Sequence, residues 1–182
     1  MPKTINSQKF FVTLQPFCRL RLTVFAEKTP IQNIIMIIMK DICCIGHITK
    51  DKIVTPHRVV YMAGGTSFYF AYAINQLPND VSFSLVTSMD PTETEPAEKM
   101  RQAGIDVTLN ASRNTVFFEN IYGENQNERK QRVLAKADPF TIEQLEHVDA
   151  KVYHLGSLLS DDFSNEVVEY LAKKGKVSID VQ

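Results

Sequence analysis

The sequence has little of what would assign a protein quickly. Three cysteines in 182 residues, two of them adjacent (Cys43 and Cys44), give no even-numbered disulfide framework and no zinc-ligand spacing. They read as reduced core thiols of a cytoplasmic protein. Neither sign of charge dominates: the net charge is −1 and the pI about 6.4, which gives no sign of a nucleic-acid or membrane-surface partner. The longest apolar run near the front, Pro30 to Met39, is about half of the ~20 residues that a spanning helix needs, so no transmembrane segment is expected. The four histidines (47, 57, 147 and 154) are scattered without helical metal-ligand spacing, so no metal site is expected. His154 lies on a predicted buried strand and reads as a satisfied interior histidine. Neither G-x-x-x-x-G-K nor G-x-G-D occurs, and after Gly65 every glycine is isolated.

What is present suffices for one globular domain with a real core, since 44% of the residues are hydrophobic. Charge divides the chain. Residues 1–38 carry five basic residues and one acid, net +4, which leaves fifteen basic and twenty acidic residues in 39–182, net −5. The leader lacks an A-x-A cleavage pattern and fits a secretory signal poorly. A domain is therefore expected to start at Met39 in "MKDICCIG", with 1–38 a poorly ordered upstream extension or the product of a mis-set start codon.

Beyond Met39, short apolar runs alternate with amphipathic helical segments. Asp41 to Gly46, Val81 to Thr87, Val152 to Leu155 and Lys176 to Val181 are apolar on both sides, as strands of a buried parallel sheet are. Thr94 and Gly104 bracket one helix. Thr141 with Gln144 forms a capping box; Ser164 and Gly175 bracket another helix, with Phe163 and Val168 as a hydrophobic staple. This is β-α-β punctuation and predicts an α/β fold. Asn114 to Tyr122 and Glu128 to Ala135 surround the polar turn "GENQN" and predict a β-hairpin. Lys52 to Tyr61 reads as a further extended segment interrupted by Pro56. Together these pieces predict a small antiparallel flap beside the main sheet.

Two of only seven glycines, Gly64 and Gly65, stand where a loop enters the apolar helix "SFYFAYAINQL". Glycine there permits unusual backbone angles and lets a ligand lie against the main chain, and a helix start favours oxygen-rich or anionic groups. Close packing against a strand would explain the pair equally well. Upstream, Gly46 ends the first strand and Asp51 follows five residues later, in the crevice where open α/β sheets bind ligands. A carboxylate there can accept two hydrogen bonds from neighbouring hydroxyls; as a solvated turn residue beside Lys50 and Lys52 it would do nothing.

A strand ending G-x-x-x-x-D, a flap, "GG" opening an apolar helix, "TSMD" after the next strand, a polar hairpin and finally "VSIDVQ" resemble, over Met39 to Gln182, the N-terminal part of the PfkB (ribokinase-like) carbohydrate kinases. The resemblance implies a three-layer α/β/α sheet with a small β lid and ATP-dependent phosphoryl transfer to a hydroxyl of a sugar, nucleoside or polyol. By it, Asp51, Gly64 and Gly65 would hold substrate hydroxyls. The hairpin over about 114–135 would be lid, with Thr115, Phe117 and Arg132 on it. Three positions depart from the family pattern: Tyr69 replaces a sugar-contacting asparagine, Gly156 a glutamate, and Ser88 the glycine two places before Asp90. An aromatic wall at Tyr69 suits a bulkier polyol or an inositol-like ring better than ribose. The family's anion hole and catalytic base come from a late G-A-G-D-like motif, which is absent. The chain is thus expected to be a truncated domain with no catalytic residue of its own, inactive alone, while the complete enzyme uses ATP and Mg2+. A homodimer through the lid or an exposed sheet edge is the expected assembly. The competing expectation is a catalytically silent α/β protein that binds a polyol or a partner.

Overall fold

A computed structural model describes residues 39–78 and 80–181; the extension expected over 1–38 lies outside the described residues. The elements in chain order are β1 (Lys40–Ile45), β2 (Thr49–Val54), β3 (Val59–Gly64), α1 (Thr66–Gln76), β4 (Phe83–Met89), α2 (Glu95–Gln102), β5 (Val107–Ala111), β6 (Val116–Tyr122), β7 (Arg129–Ala135), α3 (Ile142–Leu145), β8 (Ala150–Gly156), α4 (Asn165–Lys174) and β9 (Lys176–Asp180). They build two sheets. One is parallel throughout, in the order β5-β4-β1-β8-β9; the other has the order β3-β2-β6-β7.

The centre of the parallel sheet follows from its composition. Successive residues of a strand point to opposite faces, yet the adjacent Cys43 and Cys44 of β1 are both fully buried. Both faces must therefore be covered. Cys43 packs with Ile45, Tyr153, Leu155, Leu145 and Leu171 under α3 and α4, whereas Cys44 packs with Leu85, Ala71, Ala97 and Met100 under α1 and α2. The result is the expected three-layer α/β/α arrangement. Burying each large aliphatic side chain contributes roughly 1.5–3 kcal/mol. The same burial pushes the thiol of Cys43 up to about 11 and that of Cys44 up to about 12, which keeps both protonated and makes them core residues rather than nucleophiles.

The helix ends form as their residues dictate. The Ser164 hydroxyl accepts from the Val167 amide at 3.3 Å. Both halves of the Thr141–Gln144 capping box are made, with Gln144 Oε1 accepting from the Thr141 amide at 3.1 Å. Thr94 precedes α2 without a side-chain cap, and Glu95 and Glu98 instead set negative charge on its first turn.

Three expectations need correction. Lys52 to Tyr61 is not one interrupted segment but parts of two antiparallel strands, β2 and β3, joined by a turn in which the Thr55 amide donates to Arg58 O at 2.9 Å. Pro56, which lacks an N–H and fixes φ, ends the strand and starts the turn. The flap is also not wholly antiparallel, because β2 pairs with β6 in parallel register from Thr49↔Val116 to Val54↔Ile121. β2 follows β1 and β6 follows β5 after short connections at the same end of the parallel sheet, so the two run in the same direction. Finally, His154 is only half-buried, stacked on Phe70 at 4.3 Å and contacting Ser178 Oγ at 3.3 Å. The fully buried histidine is His47.

Candidate functional site

The site lies where the carboxyl ends of β1 and β8 meet the start of α1, below the second sheet. Ser67, in the first turn of α1, is fully buried against the loop glycines. A Cβ on Gly46 would stand 2.0 Å from Ser67 Oγ, and one on Gly156 2.3 Å from it. No larger side chain fits at position 156 beside Ser67, which accounts for glycine there. Gly65 caps α1 with φ +98°, a conformation that glycine adopts without strain, and a Cβ would lie 2.6 Å from His47 O.

Gly64 ends β3 directly opposite Thr49 of β2. A Cβ on it would come within 2.6 Å of Asp51 Oδ2 and 3.1 Å of Thr49 Oγ1. The carboxylate of Asp51 therefore rests on the bare Cα of Gly64, and these two residues of the sequence pattern, 13 positions apart, form one small cradle. The Thr49 hydroxyl donates to Asp51 Oδ1 at 2.8 Å, and among the described residues no hydrogen bond reaches Oδ2. Burial raises the Asp51 pKa above the usual carboxylate value, against the lowering effects of the Thr49 bond and the nearby Arg129.

Asp51 opens on a cavity of about 530 Å³ whose wall includes Met62, Tyr69, Asn120, Tyr122 and Arg129. Tyr69, one turn into α1, is 55% exposed and presents its ring to this space. Strand register explains the rest: Asp51 pairs with Met62 and Phe118, Ile53 with Val60 and Asn120, so these side chains share one face.

That register puts other predicted residues on the opposite face. Lys50↔Phe117 and Glu119↔Arg132 fall between the pairs that face Asp51. Phe117 packs beneath Lys50 Nζ at 5.4 Å and beside Tyr61 at 6.5 Å. Arg132 forms an ion pair with Glu119, which also accepts from Lys52 Nζ at 2.9 Å. Thr115 precedes β6; its hydroxyl accepts from the Asp90 amide at 3.1 Å, and it lines a second cavity of about 350 Å³ with Lys50, Tyr61, Met89 and Glu93. The structure thus brings Asp51, Gly64 and Tyr69 together, with Gly65 adjoining, and sets Thr115, Phe117 and Arg132 apart from them. Sequence reasoning missed Asn120, Tyr122, Arg58 and Arg129. Alternation along β6 marks Asn120 and Tyr122 as partners of Phe118, but their placement with Asp51 depends on the β2–β6 pairing, which leaves no local trace.

With this geometry the described chain has the ribokinase-like fold. It is similar to a solved pyrophosphate-dependent kinase of the ribokinase family complexed with a pyrophosphate analog and myo-inositol (24% identity, TM-score 0.65), over 76% of this chain and 48% of that one. A fructokinase with bound ATP from Xylella fastidiosa matches at 18% identity and TM-score 0.61, over 80% of this chain and 52% of that one. An uncharacterized sugar kinase from Pyrococcus horikoshii in complex with ATP matches at 19% identity and TM-score 0.61, over 78% and 53%. The chain spans about half the length of these solved structures. No family model and no curated protein matches it.

Proposed function

We propose that this chain forms the acceptor-binding side of a carbohydrate kinase of the PfkB type, which transfers a phosphoryl group to a hydroxyl of a sugar, nucleoside or polyol. The observation that carries the reading is the Asp51 carboxylate seated on Gly64, with Oδ1 occupied by Thr49 and Oδ2 turned to the cradle beneath a lid-like sheet. A half-buried carboxylate with one oxygen to spare accepts hydroxyl donors and rejects anions at that point. The exposed ring of Tyr69 supplies an apolar wall for the carbon face of a ring substrate. The ribokinase-like fold supports the same reading.

The donor in this proposal is ATP with Mg2+. The sequence holds no G-x-G-D run to cradle the nucleotide's phosphates, and Mg2+ would arrive on those phosphates with at most one or two carboxylates from the protein. What this chain's residues contribute is binding and orienting the acceptor, and no ATP-dependent product is expected from it alone.

Calorimetric titration with myo-inositol, fructose and ribose tests the reading. At least one polyol is expected to bind, and Asp51→Asn should weaken that binding by at least about tenfold, the loss of a hydrogen bond to a charged acceptor. Because the carboxylate is ionised only against its desolvation in the fold, Tm should be unchanged or slightly raised in the variant. Binding indifferent to Asp51→Asn, or no binding by any polyol, would overturn it.

A further inference from the structure

The described arginines divide into two groups. Arg101 pairs with Glu98, Arg113 with Asp138, and Arg132 with Glu119. Arg58 and Arg129 form no ion pair with a carboxylate among the described residues, and both line the cavity that holds Asp51. They reach it from different places: Arg58 from the turn between β2 and β3, Arg129 from the first position of β7. On the opposite face of the same sheet, Lys50 is matched by Glu93, and Lys52 and Arg132 by Glu119, with Lys130 left over. The opposite face thus carries four cations against two acids and the cavity face two against one; what marks the cavity face is that both of its cations are guanidinium groups in no ion pair among the described residues.

Their position within the sheet is also fixed. Arg129 pairs with Tyr122, next to Ile121, which pairs with Val54; Val54 in turn pairs with Val59, the neighbour of Arg58. Both arginines thus stand at the tip of the sheet level with Thr55, four residues along β2 from Asp51 and on the same face, roughly 13 Å along the strand at ~3.3 Å per residue. Asn120 and Gln126 add polar groups to the same wall. An anion beside Asp51 would be repelled; one at the tip would meet two guanidinium groups, while the loop acids there, Glu124 and Glu128, do not line the cavity and Glu128 accepts from Asn125 Nδ2.

We infer that the ligand of this cavity is a polyol that already bears an oxyanion group, a phosphomonoester or a carboxylate, held by Arg58 and Arg129 while its hydroxyl end lies at Asp51. This rests on the acceptor-site reading above and deepens it. The phosphomonoester and carboxylate cases share one chemistry, and matched probes separate them.

The experiment is calorimetry on the full chain at low ionic strength with fructose against fructose 6-phosphate, glucitol against gluconate, and inorganic phosphate alone, repeated on Asp51→Asn and on the Arg58→Gln/Arg129→Gln double variant. Both arginines are exposed, so the double variant is expected to keep the parent Tm. At least one charged probe should bind about tenfold or more tightly than its neutral counterpart, and the double variant should erase that advantage without changing the neutral affinity. Equal affinity of charged and neutral probes, both lost in Asp51→Asn, removes the inference and leaves the acceptor site standing. An advantage that survives in the double variant also removes it. Inorganic phosphate binding as tightly as fructose 6-phosphate, through the arginines and without response to Asp51→Asn, overturns the acceptor reading itself and this inference with it.

Discussion

The two sheets use the same backbone chemistry for different ends. The inner strands of the parallel sheet, β1, β4 and β8, have buried residues on both faces and helices against each. The second sheet touches a core cluster only at Ala63, beside α1, exposes Val59, Val60, Tyr61 and Met62 on one strand, and carries ion pairs at Glu119 and from Lys50 to Glu93. Stability resides mainly in the first, where apolar area leaves water. The second is held by interactions that solvent weakens, and both of its faces line cavities. A recognition surface needs side chains that are not consumed by packing, and only the second sheet has them to offer.

Substitutions can break or sharpen this contrast. The largest effect is expected in the parallel sheet: Leu155→Ala empties a fully buried site and should cost about 2–5 kcal/mol in urea unfolding. A loss below about 1 kcal/mol would show that the core is not where stability lies. Next comes the junction of the two sheets. Gly65→Ala forces a Cβ onto a residue at φ +98° and 2.6 Å from His47 O, and should cost at least about 1–3 kcal/mol while also weakening polyol binding. A variant with parent Tm and parent affinity would separate the glycine pair from the site.

His47 gives a pH-dependent middle case. It is fully buried, stacked on Phe140 at 4.5 Å, with Nε2 3.6 Å from Asp162 Oδ1. Burial holds its pKa below the usual 6.5, although Asp162 works the other way. Its folded form thus takes up a proton less readily than the unfolded chain. The stability it contributes is complete above pH about 6.5 and falls as pH drops from there toward the folded value, with a slope of at most about 1.4 kcal/mol per pH unit. His47→Gln should flatten the fall in Tm between pH 6.5 and 5; an unchanged profile would assign the acid sensitivity elsewhere. The smallest effect belongs to the second sheet. Arg132→Ala removes a mostly exposed partner of Glu119 and should change stability by less than about 1 kcal/mol, less still in high salt. A larger loss would mean that the ion pairs carry this sheet's stability after all.

Much of the architecture was legible because it is written locally. Runs such as "DICCIG" are apolar on consecutive residues, which only a strand covered on both faces tolerates, and Thr141–Gln144 and Ser164 mark helix starts through bonds that span three residues. The cradle was legible in part: Asp51 and Gly64 were joined through the resemblance to the PfkB pattern, while their contact across β2 and β3 is a matter of strand register. The two faces of the second sheet were not. Phe117 and Phe118 are identical neighbours in the sequence, and only register sends the second toward Asp51 and the first away.

Sequence alone, then, determined four of the five strands of the parallel sheet, the hairpin strands, the helix ends and the presence of a carboxylate near a glycine pair, whereas β5 and the division of Lys52 to Tyr61 into two strands were not read from it. Tertiary structure alone decided that β2 lies beside β6, across more than sixty residues of chain, and with it which side chains share a face. The convergence of Arg58 with Arg129 follows from that pairing, and the burial of His47 from its packing against Phe140 and Asp162, more than ninety residues away in the chain. Side-chain direction in a sheet reverses with a one-residue shift, and no local pattern records which partner strand sets the count.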